Sequence, residues 1–139
     1  MEHHAVLRVV TKLLIPFILL FALYVQFHGD FGPGGGFQAG VIFGAGFVLY
    51  GLIFGLTNTQ QVAPPVVMRF TTTLGLLLYA GVGVASLLKG GNYLDYGVLA
   101  QSPQAGQHLG IILIELGVGI TVASVIVNLF YAFAGYDRK

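Results

Sequence analysis

The chain has 139 residues, of which 56% are hydrophobic and only 8% are charged. A soluble domain carries about 25% charged residues, so this composition excludes a soluble enzyme domain and a disordered tail. The net charge of +1 also excludes a nucleic-acid binder. The absence of cysteine excludes disulfides, thiolate metal sites and a cysteine nucleophile. Long uncharged stretches indicate an all-α integral membrane protein with one domain over residues 1–139.

The first predicted membrane span covers residues 9–27, an apolar stretch close to the roughly 20 residues that cross a bilayer as a helix. Lys12 lies near its start, where a lysine side chain reaches the headgroups, and Pro16 in the early turns costs little. No small-x-small cleavage site follows the apolar stretch, so we expect a permanent helix rather than a cleaved signal peptide.

A glycine-rich connector leads from His28 to the second span and contains Pro33. Gly34, Gly36 and Ala39 match a dinucleotide-binding pattern, which we reject because no strand precedes it and no βαβ unit follows. Proline fixes one backbone dihedral angle, whereas glycines permit close backbone contact. The connector is therefore either a tight outer turn or a buried segment held against partner subunits.

The second span is predicted over residues 37–56 and carries no charge. Small residues recur along it and along the last span, and small residues let another helix approach closely. The candidate packing glycines are Gly40, Gly44, Gly51, Gly55 and Gly117. Two alternatives are open for them, packing among the chain's own helices or packing against other subunits. We expect the second, because four helices bury only part of their surface on one another.

The third span is predicted over residues 65–88. Lys89 follows it and places a cation at the negative end of the helix dipole, and the two glycines after Lys89 are a signal for the end of a helix. The fourth is predicted over residues 103–133, with Ser102 as N-cap and Pro103 in the first position. At about 1.5 Å per residue the fourth helix exceeds a bilayer core of ~30 Å, so we expect tilt or a protruding end.

Lysine and arginine residues predict the orientation, because they concentrate on the cytoplasmic side. The side of the two termini and the second loop carries five of them: Arg8, Lys12, Arg69, Arg138 and Lys139. The opposite side carries Lys89 alone. Both termini are therefore predicted to be cytoplasmic. The outer side then carries Asp30 and Asp95, with His28 and His108 near that surface.

The fourth span holds the polar residues that suggest chemistry. Glu115 is the acidic residue well inside a span, and burying its charge costs roughly 2.5–3.5 kcal/mol or more. It is either a proton or cation site or a hydrogen-bonding group near the interface. His108 lies seven residues earlier, on the same helix face and about 10 Å away. The pair is a candidate relay, and the alternative, which is commoner for a histidine near an interface, is that His108 is only solvated. Thr121, Ser124 and Asn128 form a second stripe, for which hydrogen bonding between helices is favoured over a hydrated path.

Several of these features together resemble the B subunit (MnhB/MrpB family) of Mrp-type multisubunit sodium/proton antiporters. The resemblance covers the length, the four spans and the segment 106–110 before a fourth helix that bears a glutamate. Its most specific part is a His-Gly pair followed by a Pro-Gly-Gly-Gly-Phe run, here His28, Gly29, Pro33, Gly34, Gly35, Gly36 and Phe37.

The resemblance implies a small multi-pass subunit of the bacterial or archaeal cytoplasmic membrane. It implies no catalytic chemistry of its own and no cofactor, with sodium ions and protons as cargo and other antiporter subunits as partners. The subunit would be needed for assembly, with Glu115 and His108 as candidates to line the ion path. The alternatives are a purely structural subunit, the same module in a hydrogenase or complex-I-like oxidoreductase, and a small homo-oligomeric transporter.

Overall fold

The computed structural model describes residues 2–29 and 31–136. Within these residues it contains helices and no strand. In chain order the helices are α1 Glu2–His28, α2 Gly36–Phe54, α3 Leu56–Val62, α4 Pro65–Leu88 and α5 Pro103–Tyr136, with a 3-10 turn at Tyr96–Val98 between α4 and α5. Four of the helices, α1, α2, α4 and α5, are long and apolar enough to cross a membrane. The predicted all-α class with four spans is confirmed. Asp30, Arg138 and Lys139 lie outside the described residues, and the orientation of the termini stays a prediction.

The helix bounds differ from the predicted ones most at three places, one of which is the end of α5 at Tyr136 instead of residue 133. Helix α1 begins at Glu2, well before the predicted start. Helix α2 stops at Phe54, because Gly55 adopts a φ of +93° that ends the helix. The segment after it was predicted as a loop but forms the short helix α3, whose Thr59 is completely buried.

The four long helices stand in a row. Helix α1 packs on α2, α2 packs on α5, and α5 packs on α4, so that α1 and α4 form the two ends. Helices α2 and α5 run in the same direction, because the contacts of Gly36, Gly44 and Gly51 fall at increasing positions along α5. The row therefore has a central parallel pair and an outer helix on each side.

The glycine stripe of α2 forms the contact with α5. A methyl group added to Gly40 would lie 2.7 Å from the Gly119 carbonyl oxygen and 2.8 Å from Cβ of Val122. A methyl group on Gly44 would lie 3.0 Å from Cβ of Ile126. These glycines pack inside the chain, which corrects our expectation that they face other subunits.

The other three candidate packing glycines behave differently from one another. Gly51 lies against the Phe130 ring and the Thr59 hydroxyl. Gly117 lies against α4, where a methyl group would be 2.9 Å from the Gly75 carbonyl oxygen. Gly55 has nothing within 4 Å of the position of a Cβ atom, so it ends α2 and packs on nothing in the described chain. A packing role for Gly55 against another subunit stays a prediction.

Hydroxyl and amide groups join α4 to α5. The Ser124 hydroxyl donates a hydrogen bond to Oγ1 of Thr71 at 2.8 Å. The Asn128 amide donates to Oγ1 of Thr72 at 3.3 Å. The Thr121 hydroxyl instead donates to the carbonyl oxygen of Gly117 within α5, at 2.8 Å. The predicted hydrogen bonding between helices is confirmed for Ser124 and Asn128.

The segment 89–102 folds back over the ends of α4 and α5. Lys89 and Gly90 end α4, with Gly90 at a φ of +86°. Ser102 caps α5, because its hydroxyl accepts a hydrogen bond from the Ala105 N–H at 3.3 Å. The Tyr96 side chain lies against Gly110, and burial, helped by nearby Tyr79, raises the pKa of its phenol. Both predicted helix-end signals are confirmed.

Tyr131 connects α5 to α3 at the opposite end of the bundle. Its side chain is 8% exposed, and its hydroxyl donates to the carbonyl oxygens of Ala63 at 2.7 Å and Thr59 at 3.3 Å. Replacing Tyr131 with Phe leaves these carbonyls without that donor, so we expect about 1–2 kcal/mol of destabilisation. The measurement is the temperature at which the purified protein loses its helical circular dichroism.

Tyr24→Phe is the matched control, since the Tyr24 side chain is 57% exposed and its ring stacks on His28. Its hydroxyl has no hydrogen bond within residues 2–29 and 31–136, so this change is expected to leave the transition where it was. Equal transitions for both variants would show that the Tyr131 hydroxyl does not hold α3 in place.

Candidate ion site beneath the glycine connector

The connector between α1 and α2 is a tight turn built on glycine. The Phe31 N–H donates to the His28 carbonyl oxygen at 3.0 Å, which continues the end of α1. Gly34 has a φ of +123°, a backbone conformation that residues with a Cβ rarely adopt. Gly35 is extended and forms the N-cap of α2. The turn therefore needs glycine at Gly34 for its backbone conformation.

Glu115 of α5 lies directly beneath this connector. A methyl group added to Gly35 would lie 3.0 Å from its Oε1 atom, and one added to Gly29 would lie 3.1 Å from its Oε2 atom. The same methyl group on Gly29 would lie 2.9 Å from the carbonyl oxygen of Gly34. The carboxylate and a main-chain carbonyl oxygen thus converge on one small space that only the missing side chain of Gly29 leaves open.

Gly36 determines the position along α5 at which the connector lies. Its α carbon lies so close to the main chain of Glu115 that an added methyl group would overlap the Glu115 carbonyl group. The first residue of α2 therefore rests on the backbone of α5 at Glu115. This contact places the Glu115 carboxylate beside the connector.

The N-terminus of α2 favours the negative charge of this carboxylate. The first turn of α2 has no acidic residue and no side-chain cap, so its free N–H groups carry the positive end of the helix dipole. Glu115 brings a carboxylate to that end from the neighbouring helix, with Oε1 next to the N-cap Gly35. The half-buried carboxylate has a favourable electrostatic environment although it lies inside a membrane span.

The structure divides the predicted motif into two groups. The glycines Gly34, Gly35 and Gly36 face Glu115 or the start of α2. Pro33 is exposed, and the Phe37 side chain is 64% exposed, so both point away from the carboxylate. The glycine part of the motif builds the site, while its proline and phenylalanine lie on the outside of the row.

His108 lies on the same helix as Glu115, nearer the start of α5. It is exposed, on the turns of α5 that lie beyond the connector. Seven residues separate it from Glu115, which corresponds to about 10 Å along the helix. His108 is therefore placed between the N-terminal end of α5 and Glu115.

The connector is recessed relative to the end of the α4–α5 pair at which α4 ends and α5 begins. Glu115 is the twelfth residue after Pro103, where α5 begins, which is about 18 Å along the helix. Helix α4 crosses α5 near Gly117 and continues to Leu88. The α1–α2 turn thus meets the α4–α5 pair well below its end.

Sequence reasoning did not find Gln26, although it is next to this site. Its side chain is only 8% exposed, and its Oε1 atom lies against Gly119, one helical turn from Glu115. The signal was available, since Gln26 brings a carboxamide into an otherwise apolar span.

The donors at the site suit a small exchangeable cation. No group of three or more His, Cys, Asp or Glu residues that could hold a metal ion occurs in the part of the chain that the structure describes. One carboxylate with main-chain carbonyl oxygens provides oxygen ligands, which hard cations prefer. The same carboxylate can carry a proton.

Comparison with known proteins identifies the family of the chain. The family described as "Domain related to MnhB subunit of Na+/H+ antiporter" matches residues 6–128. Proteins named "Putative antiporter subunit mnhB2" from Staphylococcus aureus strains Newman, COL and bovine RF122 are each 34% identical over 137 residues, covering 96% of both chains.

The family match covers most of the chain and includes all of the connector and Glu115. With its four apolar helices, the chain is a multi-pass protein of a bacterial cell membrane and a subunit of a multisubunit Na+/H+ antiporter that works with other subunits. It belongs to the MnhB family of antiporter subunits.

Proposed function

We propose that this subunit provides the antiporter with an exchangeable site at Glu115, which binds a proton or a sodium ion in a hydrated path shared with sister subunits. The observation that carries the proposal is the position of the Glu115 carboxylate beneath the glycine connector. Its two oxygens and the Gly34 carbonyl oxygen approach the same small space from different sides.

Antiport needs a group that binds either of two cations but not both. A carboxylate meets this requirement, because protonation removes the negative charge that attracts sodium. The positive end of α2 favours the charged form, and the adjacent carbonyl oxygen offers a further ligand to a cation. Glu115 can therefore release a proton and accept a sodium ion at the same position.

The chain does not perform the exchange alone. Within its four described spans Glu115 is the one carboxylate, whereas a self-sufficient pump needs several ionisable groups across the membrane. The remaining steps of the path belong to other subunits. The subunit accordingly carries an ion without catalysing a chemical reaction.

A second candidate function is assembly, with no contact to ions. It is supported by the outer helices, because α1 and α4 each pack mainly on one neighbour and expose large apolar side chains along their length. Such surfaces fit against other membrane subunits. The two functions make different predictions for Glu115.

The decisive change is Glu115→Gln in the complete antiporter, which keeps the size of the side chain but removes its charge. We expect normal assembly on native gels. Sodium-dependent proton exchange in everted vesicles should show at least about tenfold weaker apparent sodium affinity, as a loss of about 1.4 kcal/mol in binding produces. Asp95→Asn is the matched control, because Asp95 lies in the outer loop, where it accepts a hydrogen bond from the Gly97 N–H.

Exchange by the Glu115→Gln antiporter that equals the wild type at every sodium concentration, with normal assembly, would contradict the ion-site proposal and leave assembly as the function. A Glu115→Asp variant with shifted sodium affinity and a shifted pH profile would support the proposal further, because it retains the charge at a changed distance.

A further inference from the structure

One face of the helix row contains a groove. Its volume is about 270 Å³, and it is lined by residues of α1, α2, α4 and α5. It lies between the end helices α1 and α4, and residues of α2 and α5 form its floor. Most of the lining is apolar, including Ala22, Phe43, Phe47, Met68, Ala123 and Val127.

Three polar side chains line the groove, and only one of them lacks a partner in the described chain. Thr71 and Ser124 form a hydrogen bond to each other at 2.8 Å. Gln26 is more than nine-tenths buried and forms no hydrogen bond within residues 2–29 and 31–136. No polar side-chain atom in that part of the chain is both fully enclosed and without a partner, so the amide of Gln26 keeps access to the groove.

A lipid chain does not satisfy this amide. Leaving a carboxamide in an apolar environment without a hydrogen bond is costly, and hydrocarbon offers neither donor nor acceptor. The occupant of the groove must therefore combine apolar groups for its walls with a polar group for Gln26. A transmembrane helix that carries one polar residue among apolar ones has this chemistry.

We propose that the groove receives side chains from a transmembrane helix of another antiporter subunit, and that a polar residue of that helix forms a hydrogen bond with Gln26. A cavity of about 150 Å³ holds one benzene ring, so about 270 Å³ accepts roughly two large side chains. The side chains of Leu23 and Phe27, which are 45% and 66% exposed at the α1 edge, extend the contact surface.

The position of Gln26 gives this contact a further consequence. Its Oε1 atom lies against Gly119, four residues and about 6 Å along α5 from Glu115. The polar residue of the partner helix is thus brought within one turn of the carboxylate. The docking itself does not depend on whether Glu115 binds an ion.

Photo-cross-linking in the purified antiporter tests the proposal. Benzoylphenylalanine replaces Phe43 or Phe47, since both are aromatic groove residues, and mass spectrometry identifies the adduct. We expect an adduct with a residue inside a membrane-spanning helix of another subunit of the complex. Adducts only with lipid, or with a second copy of this chain, would overturn the proposal.

Two matched pairs of variants test the hydrogen bond and the groove separately. Gln26→Leu should lower the yield of the adduct severalfold, whereas Gln38→Leu at an exposed position should not. Ala123→Leu, which fills the groove, should also lower it, whereas Val125→Leu should not, because Val125 lies on the opposite face of α5. Unchanged yields for Gln26→Leu and Ala123→Leu would overturn the proposal. If either variant is absent from membranes, the proposal is tested by the adduct alone, formed by a chain in which Gln26 and Ala123 are unchanged.

Discussion

Gly36→Ala is expected to prevent α2 from resting on α5 and to remove most of the assembled subunit from the membrane. A methyl group at this position overlaps the carbonyl group of Glu115 and would lie 2.7 Å from its carbonyl carbon. Because the obstructing atoms belong to a helix backbone, they cannot move aside as a flexible side chain can. Overpacking of this kind costs typically about 1–3 kcal/mol, and the total stability of a protein is small. Native gels of solubilised membranes measure the assembled fraction.

Gly32→Ala is the matched control, in the same connector and with the same added methyl group. That methyl group would lie 3.5 Å from Cδ2 of His28, which is an ordinary contact. We expect normal assembly of this variant. If Gly36→Ala assembles as well as Gly32→Ala does and exchanges sodium normally, the close contact between Gly36 and Glu115 is not required in the working complex.

The close contact at Gly36 also shows what the sequence could and could not predict. The four spans follow from long apolar runs, and the ends of α4 and α5 follow from Lys89, Gly90, Ser102 and Pro103, since helix-end signals act locally. Helix α3 was not predicted, because a seven-residue polar segment gives no strong hydrophobic periodicity.

The environment of Glu115 could not be derived from local pattern alone. The glycine connector and Glu115 are about eighty residues apart in the sequence. They meet only because α2 and α5 run parallel and adjacent, which no short-range signal encodes. The repeated glycines indicated close helix contacts but not the partner helix. Our expectation that they face other subunits failed for Gly40 and Gly44 for this reason.

The packing of small residues inside the row also determines which surfaces remain exposed for partner subunits. The small residues are used inside the row, so the outer surface of α1 and α4 carries large side chains such as Phe17, Leu20 and Phe70. Gly40, Gly44 and Gly75 are therefore occupied by contacts between helices of this chain. The groove beside Gln26 provides the shape and polarity that these convex faces lack.

The contact between α4 and α5 gives the second large expected effect. Gly75→Ala places a methyl group 2.7 Å from the Gly117 carbonyl oxygen and 2.9 Å from the Thr121 backbone nitrogen. Both neighbours are main-chain atoms of α5, so the two helices have to separate. We expect a loss of about 1–3 kcal/mol, measured as a lower temperature of dissociation of the purified antiporter.

Gly81→Ala makes the same change two turns further along α4, where nothing lies within 4 Å of the added methyl group. At a helix position without such contacts, alanine is preferred over glycine by up to about 1 kcal/mol. The two substitutions therefore have opposite expected signs in one helix. Equal dissociation temperatures for the two variants would mean that α4 and α5 are further apart at Gly75 than this packing requires. A lower temperature for Gly75→Ala alone would locate the stabilising contact at the glycine crossing itself, because helix propensity by itself favours both changes.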